Sequence, residues 1–313
     1  MASFIFKRLL ATIPVMLFVA VFVFLMLRMT PYDPAAIIAG DNANADQVAA
    51  IRKSLGLDQP ILSQFFIWMG QILQGNFGES FFFKKTVTSL IADRIGPTLS
   101  LATVTMLLSI SVAVPLGVLA AYRQGTWIDR VVMGFSVMGF SVPVFVIGYI
   151  LIYLFAINVS WLPVQGYRPL SAGFGEWIRH LILPACTLSV IYIALIARMT
   201  RASMLEVLSE DYVRTARAKG QTEWKVLFRH ALRNAAVPIV TVIGIGIALL
   251  IGGVVVTESV YSIAGLGRLT VDAVLARDYP TIQAVILLFS FVYVVINLLV
   301  DLTYSLLDPR IRY

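Results

Sequence analysis

Apolar residues in this chain gather into runs about as long as a lipid bilayer is thick. A hydrocarbon core of about 30 Å takes roughly 20 residues of helix, and six runs approach that length: Leu9 to Leu27, Leu99 to Ala121, Val131 to Phe155, Leu181 to Ala197, Ala235 to Val256 and Ile282 to Leu302. They predict an all-α polytopic membrane protein with six transmembrane helices, because a helix in lipid satisfies its own backbone donors and acceptors. Pro115, Pro143 and Pro184 interrupt three of the runs, as happens where backbone lines a cavity. The first run follows Lys7 and Arg8, exceeds the length of a signal-peptide core and has no small-x-small cleavage site after it, so it is expected to be retained.

Between the first two runs the pattern changes. Leu62, Phe65, Phe66, Met69, Ile72 and Leu73 recur at helical spacing, with Ser63, Gln64, Gln71 and Gln74 on the other face, which predicts an amphipathic helix. A shorter helix is expected over Asp46 to Leu55, closed by Gly56. This segment reads either as a cap on the membrane surface or as a docking surface for an external partner.

A third pattern fills Met199 to Asn234, which predicts two short helices. Ser209 is placed to cap the first, with Glu210 and Asp211 at its positive end, Arg217 and Lys219 at its negative end, and Gly220 to stop it. Thr222 is placed to cap the second, with Glu223 in its first turn. Trp224, Leu227, Phe228 and Ala231 form an apolar ridge that so short a helix cannot bury alone, so a partner surface is expected. A basic loop that only fixes topology and touches anionic headgroups is the other reading.

Charge orients these elements. Lys7, Arg8, Arg123, Arg130, the eight basic residues from Arg198 to Arg233, Arg310 and Arg312 fall on one side; Arg168, Arg179, Arg268 and Arg277 fall on the other. Positive residues favour the cytoplasm, so both termini are expected there and the segment following the first run outside. The chain has 313 residues, 59% hydrophobic and 13% charged, with net charge +7. Its basic residues lie between apolar runs instead of on one folded face, which argues against nucleic acid as a partner.

Several chemistries lack their parts. No G-x-x-x-x-G-K-[ST] loop is present to hold ATP, and neither H-E-x-x-H nor G-x-S-x-G occurs. His180 and His230 fall on opposite sides of the membrane, and the single cysteine, Cys186, has no neighbours at metal-ligand spacing. No acid lies near mid-membrane, where an ion-driven carrier usually keeps one. Arg28, Arg198, Glu258 and Asp301 all fall at span ends, within reach of water, and Asn297 reads as an interhelical hydrogen-bonding residue. Gly244, Ala248 and Gly252 recur every fourth residue along the fifth run, for packing within the chain or against a second membrane subunit; Gly134 and Ser141 share a face of the third run and raise the same choice.

At the loop, Tyr212-Val-Arg-Thr-Ala-Arg-Ala-Lys-Gly220, then Phe228-Arg-His-Ala-Leu-Arg-Asn234 and Pro238, resembles the B-type inner-membrane permease subunits of binding-protein-dependent ABC importers for dipeptides, oligopeptides, nickel or glutathione. The family's general coupling motif is Glu-Ala-Ala, three residues, then Gly. Arg214 and Thr215 stand where that form has Glu and Ala, while Ala216 and Gly220 match it. The likeness extends to Leu55-Gly-Leu-Asp-Gln-Pro60, Trp161-Leu-Pro163, Gly166-Tyr167, Ala197 to Leu205, Gly265-Leu-Gly-Arg268, Arg277-Asp-Tyr-Pro280 and Leu307-Asp-Pro-Arg310. Tyr32 departs from the glycine usual before Asp-Pro.

This resemblance implies a type I ABC importer permease fold in a bacterial inner membrane, with no catalytic residue, cofactor or metal on this chain. It also implies a second related permease, two cytoplasmic ATPases carrying ATP and Mg, and an external substrate-binding protein. Tyr212, Arg214, Thr215, Ala216, Lys219, Gly220, Trp224, Leu227 and Phe228 are then the expected ATPase-coupling residues, and Gly244, Ala248 and Gly252 the candidates for permease–permease packing. The expected division is a transmembrane helix over 1–30, an outer segment over 31–94, a permease core over 95–305 containing the loop 199–234, and a tail over 306–313. The competing classes are a stand-alone secondary transporter and a membrane anchor for soluble partners.

Overall fold

A computed structural model describes residues 2–29, 34–39, 44–54 and 56–307. The expected tail from residue 308 onward, together with Tyr32 and Leu55, lies outside the described residues. The chain divides into two compact units: Met1–Ile5, Ile95–Arg268 and Tyr293–Tyr313 form one, and Phe6–Arg94 with Leu269–Val292 form the other. Among the described residues the elements are helical, and the one extended pairing is an antiparallel bridge between Glu79 and Thr86.

In chain order the helices are α1 (Ala2–Arg28), α2 (Pro34–Ala39), α3 (Ala45–Ser54), α4 (Ile61–Leu73), α5 (Val87–Tyr122), α6 (Trp127–Ser141), α7 (Val144–Leu151), α8 (Phe174–Leu208), α9 (Asp211–Ala218), α10 (Glu223–Asn234), α11 (Ala236–Val260), α12 (Leu266–Leu275) and α13 (Tyr279–Leu307). A π-helical stretch, Ile152–Asn158, continues α7, and another, Val226–Ala231, lies within α10. By length and apolarity α5, α8 and α13 each suffice to cross a membrane. The bent pairs, Trp127–Ser141 with Val144–Asn158 and Glu223–Asn234 with Ala236–Leu250, bring the number to as many as five, and α1 adds the 17-residue apolar stretch Leu10–Met26.

Where one continuous third span was expected, the helix breaks and turns by 105°. Pro143 explains the site: it has no N–H to give the preceding turn and instead begins the next helix as its N-cap. Pro115 and Pro184, by contrast, sit inside the unbroken α5 and α8.

The first unit is organised around α8, whose buried residues run from Leu181 to Met204. Four neighbours reach it through glycine. An added Cβ at Gly117 of α5 would fall 2.7 Å from the Ala197 carbonyl; at Gly139 of α6, 3.0 Å from the Ala194 Cβ; at Gly148 of α7, 3.4 Å from Thr187; and at Gly246 of α11, 3.4 Å from the Tyr192 ring. Small residues let backbones approach closely where hydrophobic segregation from lipid gives no drive. Gly134, expected to pack either within the chain or against a second subunit, meets nothing within 4 Å in this chain, so the approach of α6 to α8 is made at Gly139.

In the second unit α4 forms where the amphipathic pattern placed it. Phe24 of α1 packs edge-on against Phe65 at 5.2 Å between ring centroids and against Trp68 at 5.4 Å. Arg28 donates from Nε and Nη2 to Gln64 Oε1 at 3.1 and 2.6 Å, and its guanidinium carbon lies 3.5 Å from the Phe24 ring centroid. Gln64 in turn donates to the carbonyls of Leu57 and Gln59. Gly56 takes φ +65°, with the Gly56 and Leu57 N–H groups donating to Lys53 and Arg52, so α3 closes as its glycine predicted.

Candidate functional site

The loop between α8 and α11 is an elbow. Helix α9 ends in a Schellman motif: Gly220 sits at φ +74°, its N–H donates to Arg217 O at 2.9 Å, and the Gln221 N–H donates to Ala216 O at 3.3 Å. Arg217 reaches across the turn to Glu223 at 3.0 Å, joining the end of α9 to the start of α10. Below the turn the Asn234 amide donates to the Tyr212 hydroxyl at 2.7 Å, closing the other end of the pair.

The first cap differs from expectation. Glu210, not Ser209, is the N-cap of α9 and its side chain makes no capping bond. Ser209 instead ends α8, and its hydroxyl donates to the Glu206 carbonyl at 2.7 Å. A serine at a helix end can bond either neighbouring turn, and here the preceding helix wins. Thr222 is the N-cap of the second helix, also without a side-chain bond.

The apolar ridge is split, which corrects the reading that all of it needs a partner. Leu227 and Ala231 are buried within the chain, in a cluster with Val118 and Ala121 of α5, Met204 of α8, and Ala235 and Ile239. The π-helical stretch rotates these positions relative to a straight α-helix, which helps place both against the span bases. Trp224 remains 70% exposed and packs against the half-buried Phe228, with ring centroids 4.0 Å apart and the planes tilted by 34°. Tyr212 is also exposed, as are Arg214, Thr215, Lys219, Lys225 and Arg229; Ala216 is half-buried. Val213 is the buried residue of α9. One face of the elbow is therefore keyed into α5, α8 and α11, while the other presents aromatic and basic side chains.

Two polar centres in this unit lay beyond the sequence reading. Asp129, at the start of α6, accepts from Arg201 Nε and Nη2 at 2.5 and 2.7 Å and from the Gly125 N–H at 3.0 Å. That bidentate pair ties α6 to the end of α8 next to the loop. Glu258 was expected near water at a span end, yet it is fully buried. Its Oε1 accepts from Thr98 Oγ1 at 2.6 Å and its Oε2 from the Arg268 N–H at 2.9 Å, while Thr98 accepts from the Leu266 N–H at 2.8 Å. Gly265 and Gly267 leave room for the carboxylate: a Cβ at Gly265 would overlap it. In the other unit the fully buried Asp278 accepts from the hydroxyls of Ser80 and Thr281 and from the Phe81 N–H. The only sequence signal for these centres was their position in or beside stretches that resembled the family, without any indication of partners.

The stripe along α11 divides as well. Gly244 faces Val300 of α13, where an added Cβ would overlap the valine, so its close approach is made within this chain. Ala248 is buried, and Gly252 is exposed with open space beside it. Asn297 bonds the Tyr293 carbonyl one turn back on its own helix, not a neighbouring helix, at 2.9 Å. Among the described residues no three His, Cys, Asp or Glu side chains come together as a metal site would require.

Known proteins resemble this chain in sequence and in fold. Residues 113–313 match the model of the family described as binding-protein-dependent transport system inner membrane component, and residues 1–102 match its N-terminal counterpart. A probable peptide ABC transporter permease protein, y4tP of Sinorhizobium fredii, is 58% identical over all of both chains. A putative peptide transport system permease of Brucella abortus is 45% identical and the glutathione transport system permease GsiC of Salmonella choleraesuis 44%, each again over the whole length of both chains. Among solved structures, the MetNI methionine ABC transporter in an inward-facing conformation matches with TM-score 0.59 at 19% identity, covering 70% of this chain and 96% of that one, a likeness of fold. The chain belongs to the family of inner-membrane components of binding-protein-dependent transport systems, as a multi-pass permease subunit.

Proposed function

We propose that this chain forms half of the translocation pathway of an ATP-driven importer of short peptides, and that the elbow 199–234 is where its ATPase grips it. The observation carrying the reading is the two-sided elbow: Leu227 and Ala231 are locked among the bases of three spans, while Trp224 and Tyr212 stay exposed on the other side. A subunit that grips the exposed side cannot shift the elbow without shifting α5, α8 and α11, because a packed interior transmits displacement instead of absorbing it. Rigid-body transmission between inward-facing and outward-facing states then needs no chemistry on this chain. Hydrolysis of ATP, with its Mg, is the work of separate subunits.

Tyr212, Arg214, Thr215, Ala216, Lys219, Gly220, Trp224 and Phe228 make up the proposed coupling surface, with Leu227 as its anchor into the spans. The partners are a second related permease in a heterodimer, two cytoplasmic ATPases and an external binding protein. Gly252, open beside the buried Ala248, is the part of the α11 stripe left for the second permease, Gly244 being occupied by Val300. The excess of Lys and Arg supports both termini and the elbow in the cytoplasm, with 31–94 outside. We retain the division into 1–30, 31–94, 95–305 and 306–313.

Peptide cargo is supported by relatives named for peptide or glutathione transport, glutathione being itself a tripeptide. Reconstitution into proteoliposomes tests the whole reading. Uptake of a labelled tripeptide is expected only when this chain, the second permease, the ATPases and the binding protein are all present with ATP. Uptake by this chain alone on a proton or sodium gradient would instead make it a secondary carrier.

A further inference from the structure

Helix α4 has three distinct sides. Phe65 and Trp68 face Phe24, and Gln64 holds Arg28, so one side is taken by the last two turns of α1. Ser63, Gln71 and Gln74 lie on a second side, which also carries the exposed Ile67. Leu62, Phe66, Met69 and Leu73, at i, i+4, i+7 and i+11, form the third, and of these Leu62, Phe66 and Leu73 are exposed, Leu73 at 81%. No residue of Ile61–Leu73 is charged.

What covers this third side follows from where α1 ends. The apolar stretch Leu10–Met26 belongs to an inner-membrane protein, and its exposed Phe18, Phe22, Leu25 and Met26 face the hydrocarbon that such a stretch requires. Phe24 and Arg28 pin α4 at the depth where that stretch stops. Aromatic rings and an arginine at a span end are the side chains that anchor a helix at the water boundary. The open stripe of α4 thus lies beside the end of the apolar stretch of α1.

We propose that α4 lies in the bilayer interface with Leu62, Phe66, Met69 and Leu73 sunk among the upper acyl chains, about 5–10 Å below the headgroups as such helices sit. Gln64 sets its angle to α1, and Ser63, Gln71 and Gln74 remain with the headgroups. Interfacial helices usually carry Lys or Arg that select anionic lipid; α4 carries none, so its anchoring is by apolar burial and indifferent to headgroup charge. The occupant is lipid, not a second protein, and the inference does not depend on the nature of the cargo.

The test places a nitroxide at single cysteines replacing Leu62, Phe66, Leu73 or Gln71 in a chain whose only cysteine is removed by Cys186→Ala, using the complete importer in lipid nanodiscs with uptake checked for each variant. Molecular oxygen concentrates in hydrocarbon and a water-soluble nickel chelate does not. The expected result is relaxation dominated by oxygen at 62, 66 and 73 and by nickel at 71, unchanged between phosphatidylcholine and mixtures rich in phosphatidylglycerol. Nickel access at 66 and 73 would put this side in water, and protection from both reagents would put it against protein; either result overturns the proposal. Oxygen access that appears only with phosphatidylglycerol would overturn the headgroup-independent anchoring.

Discussion

Gly220 offers a perturbation whose size can be worked out from the backbone alone. It holds φ +74°, and an added Cβ would meet no heavy atom within 4 Å. Replacement therefore introduces no collision, and the whole effect comes from forcing an L-residue into the left-handed region, about 1–2 kcal/mol for alanine. Valine costs more because its branched Cβ crowds the same backbone, while asparagine tolerates the region and costs least. A loss of about 1–2 kcal/mol lowers the population of the elbow geometry relative to its alternatives about 5- to 30-fold. The assay is ATP-driven uptake by the reconstituted importer, measured beside its ATP hydrolysis for Gly220→Asn, Gly220→Ala and Gly220→Val. Uptake per ATP is expected to fall in that order, with all three variants inserted and the ATPases still turning over. Wild-type uptake by Gly220→Val refutes the reasoning, and so does an asparagine variant as damaged as the valine one, since that would implicate bulk instead of backbone.

Other perturbations separate packing from polar support. Asp129→Ala leaves the half-buried Arg201 side chain without its carboxylate and is expected to destabilise the protein by about 1.5–3 kcal/mol, with Arg201→Lys milder; thermal unfolding in detergent measures both. Glu258→Ala strands the Thr98 hydroxyl and the Arg268 N–H, at about 1–3 kcal/mol for each buried group. Gly265→Ala, which overlaps that carboxylate, should be less harmful in the Glu258→Ala background than alone, as a double-mutant cycle of melting temperatures would reveal. Gly244→Ala overpacks against Val300, costing about 1–3 kcal/mol, and Val300→Ala should rescue it; failure of that rescue would move the contact to another subunit.

How much was legible depended on how local each signal is. The long apolar helices, α4 and the ends of α3 and α9 were readable because periodicity and a following glycine act within one or two turns, whereas of the six spans expected the described residues supply three helices of sufficient length and apolarity, or up to five with the bent pairs. The 105° bend was half legible: Pro143 marked the position, but proline also sits inside the unbroken α5 and α8, and which outcome follows depends on the packing around it. Leu227 and Ala231 had the right spacing for a ridge, yet their cover comes from Val118 and Met204, far away in the chain. Which of Gly134 and Gly139 meets α8 was beyond reach for a related reason, since a lone sequence does not say which side of α6 faces α8. Asp129 and Glu258 find partners 72 and 160 residues away, and charges at span ends look alike until those partners are in place.

The four glycines around α8 also restrict how proteins of this kind diversify. Residues facing them on α8, namely Ala194, Ala197, Thr187, Thr200 and Tyr192, touch backbone or nearly so, and none could grow without prising a neighbour away. Two sides of each seam are locked together, so drift in size on either is penalised unless both change at once. Variation that alters which cargo passes is therefore directed onto other surfaces, where side chains can be exchanged one at a time. A frame of this kind can in this way change its exposed surfaces while the contact positions of its central helix stay small.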